Sequence, residues 1–146
     1  MTAFVRCATP AGDPLGRVEY SGPGLAAVHP AAGSSLSVVQ AVPGEPVALL
    51  RDGFRVGELT AEPPGFTSRV FTARLADAEP WTVKADVFAT RYVISVGDRR
   101  LGVVRHGLAR RTAVFDLVAD ADAELCVAVF AAARAHRSAS SAFAPS

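Results

Sequence analysis

The feature that most constrains this fold is a C-terminal helix with no polar face. Residues 120–135 contain no Gly or Pro and are rich in Ala, which predicts a helix at about 121–136. Its centre, residues 125–133, is apolar at every position. A helix on a protein surface keeps a polar side, whereas one that is apolar all round is buried on all sides. The rest of the chain must therefore surround this helix.

The sequence predicts short β-strands that could surround this helix. Apolar and polar residues alternate with period two along much of the chain, as in strands with one face on a core and one in water. The predicted strands are residues 3–8, 17–20, 35–40, 46–51, 54–60, 70–75, 81–87, 91–96, 100–105 and 112–118. Asp52-Gly53 predicts a hairpin turn, because type I′ turns need positive φ at both central residues. A second hairpin is predicted about Gly97-Asp98. Between residues 21 and 46, where Gly and Pro recur, only 35–40 gives a clear strand.

An apolar-Gly-x-apolar pattern recurs in Val56–Leu59 and Leu101–Val104, with a fainter copy in Leu15–Val18. Gly within a strand marks a bulge, a bend or a close backbone approach. Such bends are typical of hairpins that close into a barrel, although chance similarity in a Gly- and Val-rich chain is the alternative. The predicted fold is mainly β, a closed or nearly closed antiparallel β-barrel that encloses the hydrophobic C-terminal helix.

Length and composition indicate one domain over residues 1–137 and a disordered tail over 138–146. Half of the 146 residues are apolar and the net charge is +1, which gives no support to a nucleic-acid-coating protein. Residues 1–17 lack the pattern of a secretory signal. The apolar run 125–133 is far shorter than the roughly 20 residues of a membrane span. We therefore predict a cytoplasmic protein without a transmembrane segment, in which Cys7 and Cys126 form no disulfide.

Several of these segments resemble a known family. They are Trp81–Phe88, Tyr92–Val96, Gly97-Asp98, Leu101–Arg105, Phe115–Leu117 and the terminal apolar helix. Together they resemble the LURP-one-related proteins of the tubby C-terminal-like superfamily, which includes the phospholipid scramblases. The resemblance covers residues 46–137 and implies a closed antiparallel barrel around a central hydrophobic C-terminal helix. Tubby proteins bind phosphoinositides through basic residues, but no motif carries those positions onto this sequence.

Catalytic and cofactor motifs are not found in the sequence. His29, His106 and His136 stand apart from other residues at metal-ligand spacing and are predicted to be ordinary surface or loop residues. The stretch Gly22–Ala27 matches a dinucleotide fingerprint literally, yet Pro30 would break the helix that such a site requires. We predict a non-enzymatic protein with no cofactor and no metal.

The best functional candidate is a basic segment at residues 99–111 that contains no acidic residue. Its members are Arg99, Arg100, Arg105, His106, Arg110 and Arg111. Guanidinium groups match the geometry of phosphate, and a local patch attracts anionic headgroups even when the total charge is near zero. The predicted partner is an anionic membrane surface or a protein. Nucleic acid is not expected, because no aromatic residues interleave with these arginines. A solvated barrel rim is the alternative interpretation.

The predicted function is accordingly a binding or scaffold module of the tubby-like type. Three other interpretations of the fold and function remain open. The first is a pleckstrin-homology-like barrel capped by a helix that has an exposed polar face. The second is an enzyme that uses a pocket at the barrel mouth. The third is a self-associating structural protein.

Overall fold

The computed structural model describes residues 3–63, 68–75, 78–86, 88–106 and 111–136. The predicted disordered tail lies outside these ranges. The elements in chain order are β1 (Ala3–Ala8), β2 (Pro14–Gly22), β3 (Leu25–Pro30), β4 (Leu36–Val39), β5 (Val47–Arg51), β6 (Phe54–Ala61), β7 (Ser68–Leu75), β8 (Trp81–Asp86), β9 (Arg91–Val96), β10 (Arg99–Arg105), β11 (Thr112–Leu117) and α1 (Ala123–Ala135).

The eleven strands of the described residues form one closed barrel in which each strand pairs with its sequence neighbours. All of these pairs are antiparallel. The seam between β1 and β11 is parallel, with Cys7 opposite Ala113. An odd number of strands that alternate in direction must leave one parallel pair when the sheet closes. The predicted closed barrel is confirmed, with this parallel seam as a refinement.

Helix α1 runs through the barrel, as its sequence predicts. Every residue from Cys126 to Ala133 is buried, and these side chains face the barrel wall all round. The alternative of a capping helix with an exposed polar face is therefore wrong. Side chains alone fill an eight-strand barrel, so eleven strands leave room for a helix. The run of Ala residues at 131–133 keeps that helix thin.

The helix begins at a side-chain cap. Asp122 has an extended backbone, and its Oδ1 accepts a hydrogen bond from the Leu125 N–H at 3.1 Å. Within the first turn, Glu124 accepts a hydrogen bond from the Arg51 guanidinium at the end of β5. These contacts fix the N-terminus of α1 at one end of the barrel, which we call the entry end. The other end, where His136 follows the helix, is the exit end.

Replacing Asp122 with Ala is expected to lower the free energy of unfolding by about 1 kcal/mol, because the Leu125 N–H loses its acceptor. Urea denaturation measures the change. Asp122→Asn should keep most of the stability, since the amide oxygen also accepts this hydrogen bond. Equal losses in the two variants would contradict a capping role.

Strand β3 was not predicted. Its inward residues Ala26 and Val28 do alternate with outward ones, but Gly and Pro on both sides obscured the pattern. The turn before β3 is Pro23-Gly24, and Gly24 has a φ of 72°. Pro followed by Gly with positive φ is typical of a tight type II turn. A tight turn within this Gly- and Pro-rich stretch thus connects two paired strands.

The recurrent glycines occupy equivalent positions. Gly57 lies opposite Leu75 on the next strand, and Gly102 lies opposite Leu117. A Cβ atom at Gly57 would come within 2.9 Å of the Arg74 carbonyl oxygen, and one at Gly102 within 2.8 Å of the Asp116 carbonyl oxygen. Both glycines therefore permit a close approach of two strands at the entry end.

Candidate functional site

The structure divides the predicted arginine segment between the two ends of the barrel. Arg99 and Arg100 begin β10 at the entry end, and Arg105 ends it at the exit end. Since a strand rises roughly 3.3 Å per residue, about 20 Å separates Arg99 from Arg105. His106 and Arg111 belong to the exit end with Arg105, and Arg110 lies outside the described residues. The six candidate residues therefore do not form one patch.

Carboxylates offset the arginines of the entry end. Arg99 donates a hydrogen bond to Asp120, and this contact lowers the pKa of Asp120 below its ordinary value. Further acidic residues lie on the connections of this end: Asp13, Asp52, Glu79, Asp98 and Asp122. The entry end therefore offers little net positive charge to an anionic partner.

Arginines of the exit side face one another instead. Arg91 lies directly opposite Arg105 on the paired strands β9 and β10, and Arg6 lies opposite Arg17 on β1 and β2. The backbone N–H of Arg6 donates to the Arg111 carbonyl at 2.7 Å, so these residues follow one another around the wall. We call Arg6, Arg17, Arg91, Arg105 and Arg111 the arginine sector. Arg91, Arg105 and Arg111 lie at the exit end, and Arg6 and Arg17 continue the sector along the outer wall, where Arg17 pairs with His29 near the entry-end connection of β3 and β4. Like charges directly across a sheet are destabilising.

No carboxylate within the described ranges forms an ion pair with any member of this sector. Arg17 has a partner of another kind, since its guanidinium lies 5.4 Å from the centre of the Phe4 ring. The nearest acidic residue in sequence is Glu19, two residues after Arg17, and its carboxylate lies 3.4 Å from the His29 ring. Five residues before Arg91 lies Asp86. Its carboxylate accepts hydrogen bonds from the Thr90 hydroxyl and from two backbone N–H groups. Partial burial raises the pKa of Asp86, but these hydrogen bonds outweigh it and lower the pKa overall.

Large apolar side chains are exposed around the same end. Phe88 lies on the β8–β9 turn with 67% of its surface exposed, Val42 lies on the β4–β5 loop, Leu25 follows the β2–β3 turn, and Phe4 lies near the start of β1. Hydrogen bonds within the chain support the turn that carries Phe88 and the loop that carries Val42. Asp86 fixes the turn that carries Phe88, and the Gln40 amide donates to the Glu45 carbonyl at 2.9 Å across the loop that carries Val42.

A cavity of about 180 Å³ opens at the exit end beside the last turn of α1. Its polar lining includes Arg69 from β7, Tyr92 from β9, His106, Arg134 and His136. His106 is 5% exposed, so it is a buried residue of the β10–β11 connection and not a surface histidine. The Arg134 guanidinium lies 3.1 Å from His106 Nδ1, and its carbon lies 5.0 Å from the centre of the Tyr20 ring.

The polar groups of the cavity lining are guanidinium, imidazole and phenol groups. The described residues of the lining include no carboxylate, thiol, serine or threonine. Both cysteines are buried and free, and burial raises the pKa of each thiol to about 12, which keeps them uncharged at neutral pH. His29 lies on the outer wall, where Ser35 and Glu19 contact its ring. Among the described residues, no group of three or more His, Cys, Asp or Glu is placed to hold a metal ion.

Sequence reasoning found Arg105 and Arg111 but missed the residues around them. A regular Gly97-Asp98 hairpin would have paired Arg91 with Val104, and a bulge between Arg100 and Gly102 shifts the register by one residue and brings Arg91 opposite Arg105. No local sequence pattern indicates that Arg69 and Arg134 lie near each other. They are far apart in the chain and approach the cavity only because the barrel closes around the helix.

The chain matches no protein-family model, no curated protein and no solved structure. In the described part of the chain, no helix combines the length and the apolar character needed to cross a membrane. The interpretation of the site therefore depends on its own geometry.

Proposed function

We propose that this protein is a non-enzymatic binding module that docks its exit end on an anionic phospholipid surface in the cytoplasm. The observation that carries the proposal is the coincidence of two features at one end. Arg91, Arg105 and Arg111 at the exit end have no carboxylate partner within the described ranges, and exposed apolar side chains surround the same barrel mouth.

The two features act together at a membrane. Each Arg near an anionic surface contributes about 1 kcal/mol of attraction. Apolar side chains such as Phe88 and Val42 leave water when they enter the headgroup region. Neither the charge attraction nor the burial of apolar side chains alone gives tight binding, so the association is expected to be reversible. Because salt screens the charge attraction, binding should weaken as the salt concentration rises. The kinship with the LURP-one-related proteins belongs to the same proposal, and a barrel around a C-terminal helix is what supports it.

Vesicle flotation tests the proposal. The protein is expected to float with vesicles of phosphatidylcholine and phosphatidylserine in low salt, and not with phosphatidylcholine alone. The double variant Arg91→Glu, Arg105→Glu should bind at least about 30-fold more weakly, because it replaces two attractive charges with repulsive ones.

The matched control is Arg74→Glu, Arg100→Glu. It makes the same change in net charge, but at residues of the entry end. This control is expected to bind as the wild type does. Equal losses in both double variants would show that total charge matters and not the exit end. Equal binding of the wild type to neutral and anionic vesicles would also reject the proposal.

A further inference from the structure

We propose that the cavity at the exit end binds a small organic oxyanion, a carboxylate or phosphate ester that carries one ring-sized apolar group and is free in solution. The charged groups of this site, Arg69 and Arg134, differ from the arginine sector of the membrane contact, and Phe88 at the rim belongs to both. The cavity volume is about 180 Å³. A protein cavity of about 150 Å³ holds a benzene molecule, so the space accommodates one ring with part of its charged substituent.

The charge of the lining selects an anion. Arg69 from β7 and Arg134 from α1 both line the cavity. Neither forms an ion pair with a carboxylate of the described residues. Guanidinium groups donate paired hydrogen bonds that match the oxygens of a carboxylate or phosphate. An oxyanion between them would supply a charged acceptor, which neither guanidinium has among the described residues.

Arg134 is held in place before a ligand arrives. Its Nη1 atom lies 3.1 Å from His106 Nδ1, and the guanidinium packs over the Tyr20 ring. A guanidinium only donates hydrogen bonds, so His106 Nδ1 is the acceptor in this contact. A fixed side chain loses little entropy when it binds a ligand. The remaining N–H groups of Arg134 therefore form a preorganised donor set.

Aromatic residues supply the apolar part of the site. Phe71 and Tyr92 line the wall, and Phe88 lies at the rim with most of its ring in water. Phe71 also contacts the His136 ring edge-on, with 5.6 Å between the ring centres. A ligand ring placed among these groups would gain aromatic contacts and remove exposed apolar surface from water.

His136 couples the site to pH. Burial and the charge of Arg69 lower its pKa, so the imidazole is neutral at neutral pH. The other groups of the lining that face it are Arg134, His106 and the Tyr92 phenol, whose pKa burial raises. A bound anion would offset the charge of Arg69 and raise the pKa of His136. By linkage, the ligand should then bind more tightly as the pH falls.

Calorimetric titration with three probes tests the site: phenyl phosphate, inorganic phosphate and phenol. Phenyl phosphate is expected to bind at least about tenfold more tightly than either of the others, since it alone supplies both the charge and the ring. Arg69→Gln should weaken its binding about tenfold or more, through the loss of a charge-assisted hydrogen bond. Arg69 lies at the rim and is exposed, so this variant should fold normally. Arg74→Gln is the matched control and should bind as the wild type does.

Three results would overturn the inference. The first is binding of phenyl phosphate no tighter than that of inorganic phosphate. The second is an equal loss of affinity in Arg74→Gln and Arg69→Gln. The third is the release of the protein from anionic vesicles by saturating phenyl phosphate, because the cavity would then hold a lipid headgroup. A protein that binds phenyl phosphate but fails to float would reject the membrane function and leave this site standing.

Discussion

Val129→Asp and Phe130→Asp are each expected to leave the chain unfolded. Both side chains are completely buried within the barrel. The Phe130 ring packs edge-on against Tyr92 and Phe115, with ring centres 5.0 Å and 5.3 Å apart. An aspartate at either position would bury a charge in a helix segment that is apolar on every face, and such a charge is strongly destabilising. Circular dichroism during thermal denaturation measures the outcome.

A graded variant separates lost packing from buried charge. Phe130→Ala should cost about 3–5 kcal/mol, which is a large part of the 5–15 kcal/mol typical of a domain. Phe54→Asp is the control, because the Phe54 ring is 76% exposed on β6. This control should change the stability by less than about 0.5 kcal/mol. An unchanged melting temperature in Val129→Asp would mean that the helix is not the centre of the core.

Gly102→Ala should destabilise the protein by about 1–3 kcal/mol, the cost of forcing an extra methyl group into a packed site. The new Cβ atom would lie 2.8 Å from the Asp116 carbonyl oxygen and against the Leu117 side chain. A backbone oxygen cannot rotate away, so strands β10 and β11 would have to move apart. Chemical denaturation followed by fluorescence of Trp81 measures the loss.

Gly22→Ala provides the comparison for this prediction. A Cβ atom there meets nothing nearer than the Leu25 side chain at 3.9 Å. Its stability should stay within about 0.5 kcal/mol of the wild type. Gly57→Ala should behave like Gly102→Ala, because the two glycines have equivalent neighbours. If Gly22→Ala were as damaging as Gly102→Ala, the close approach of the strands would not explain the effect.

Much of the fold was predictable because its signals are local. The alternation of residues 81–86 and the turn at Gly97-Asp98 depend on residues adjacent in the chain, and both are confirmed. The enclosed helix was predicted from residues 125–133 alone, because such a surface is stable only out of water. Strand β3 was missed, since Pro23-Gly24 forms a turn that resembles irregular chain.

The candidate site was predictable only in part. Residues 99–111 form one basic run in the sequence, but β10 separates Arg99 from Arg105 by about 20 Å. The parallel seam then brings Arg6 beside Arg111, and closure around α1 brings Arg69 and Arg134 to one cavity. Each of these contacts joins residues that are far apart in the chain, and their pairing depends on strand register.

The sequence by itself determined what must be buried, and the tertiary structure decided which charges meet. Burial follows from the chemistry of each residue and its nearest neighbours, so an apolar helix and alternating strands lead to a closed barrel. Which charged side chains become neighbours depends on the strand register and on the closure of the barrel, and both are properties of the whole sheet. The Arg-rich segment is therefore divided: Arg99 at the entry end pairs with Asp120, whereas Arg105 at the exit end lies opposite Arg91. The net charge of the whole chain, +1, shows neither arrangement.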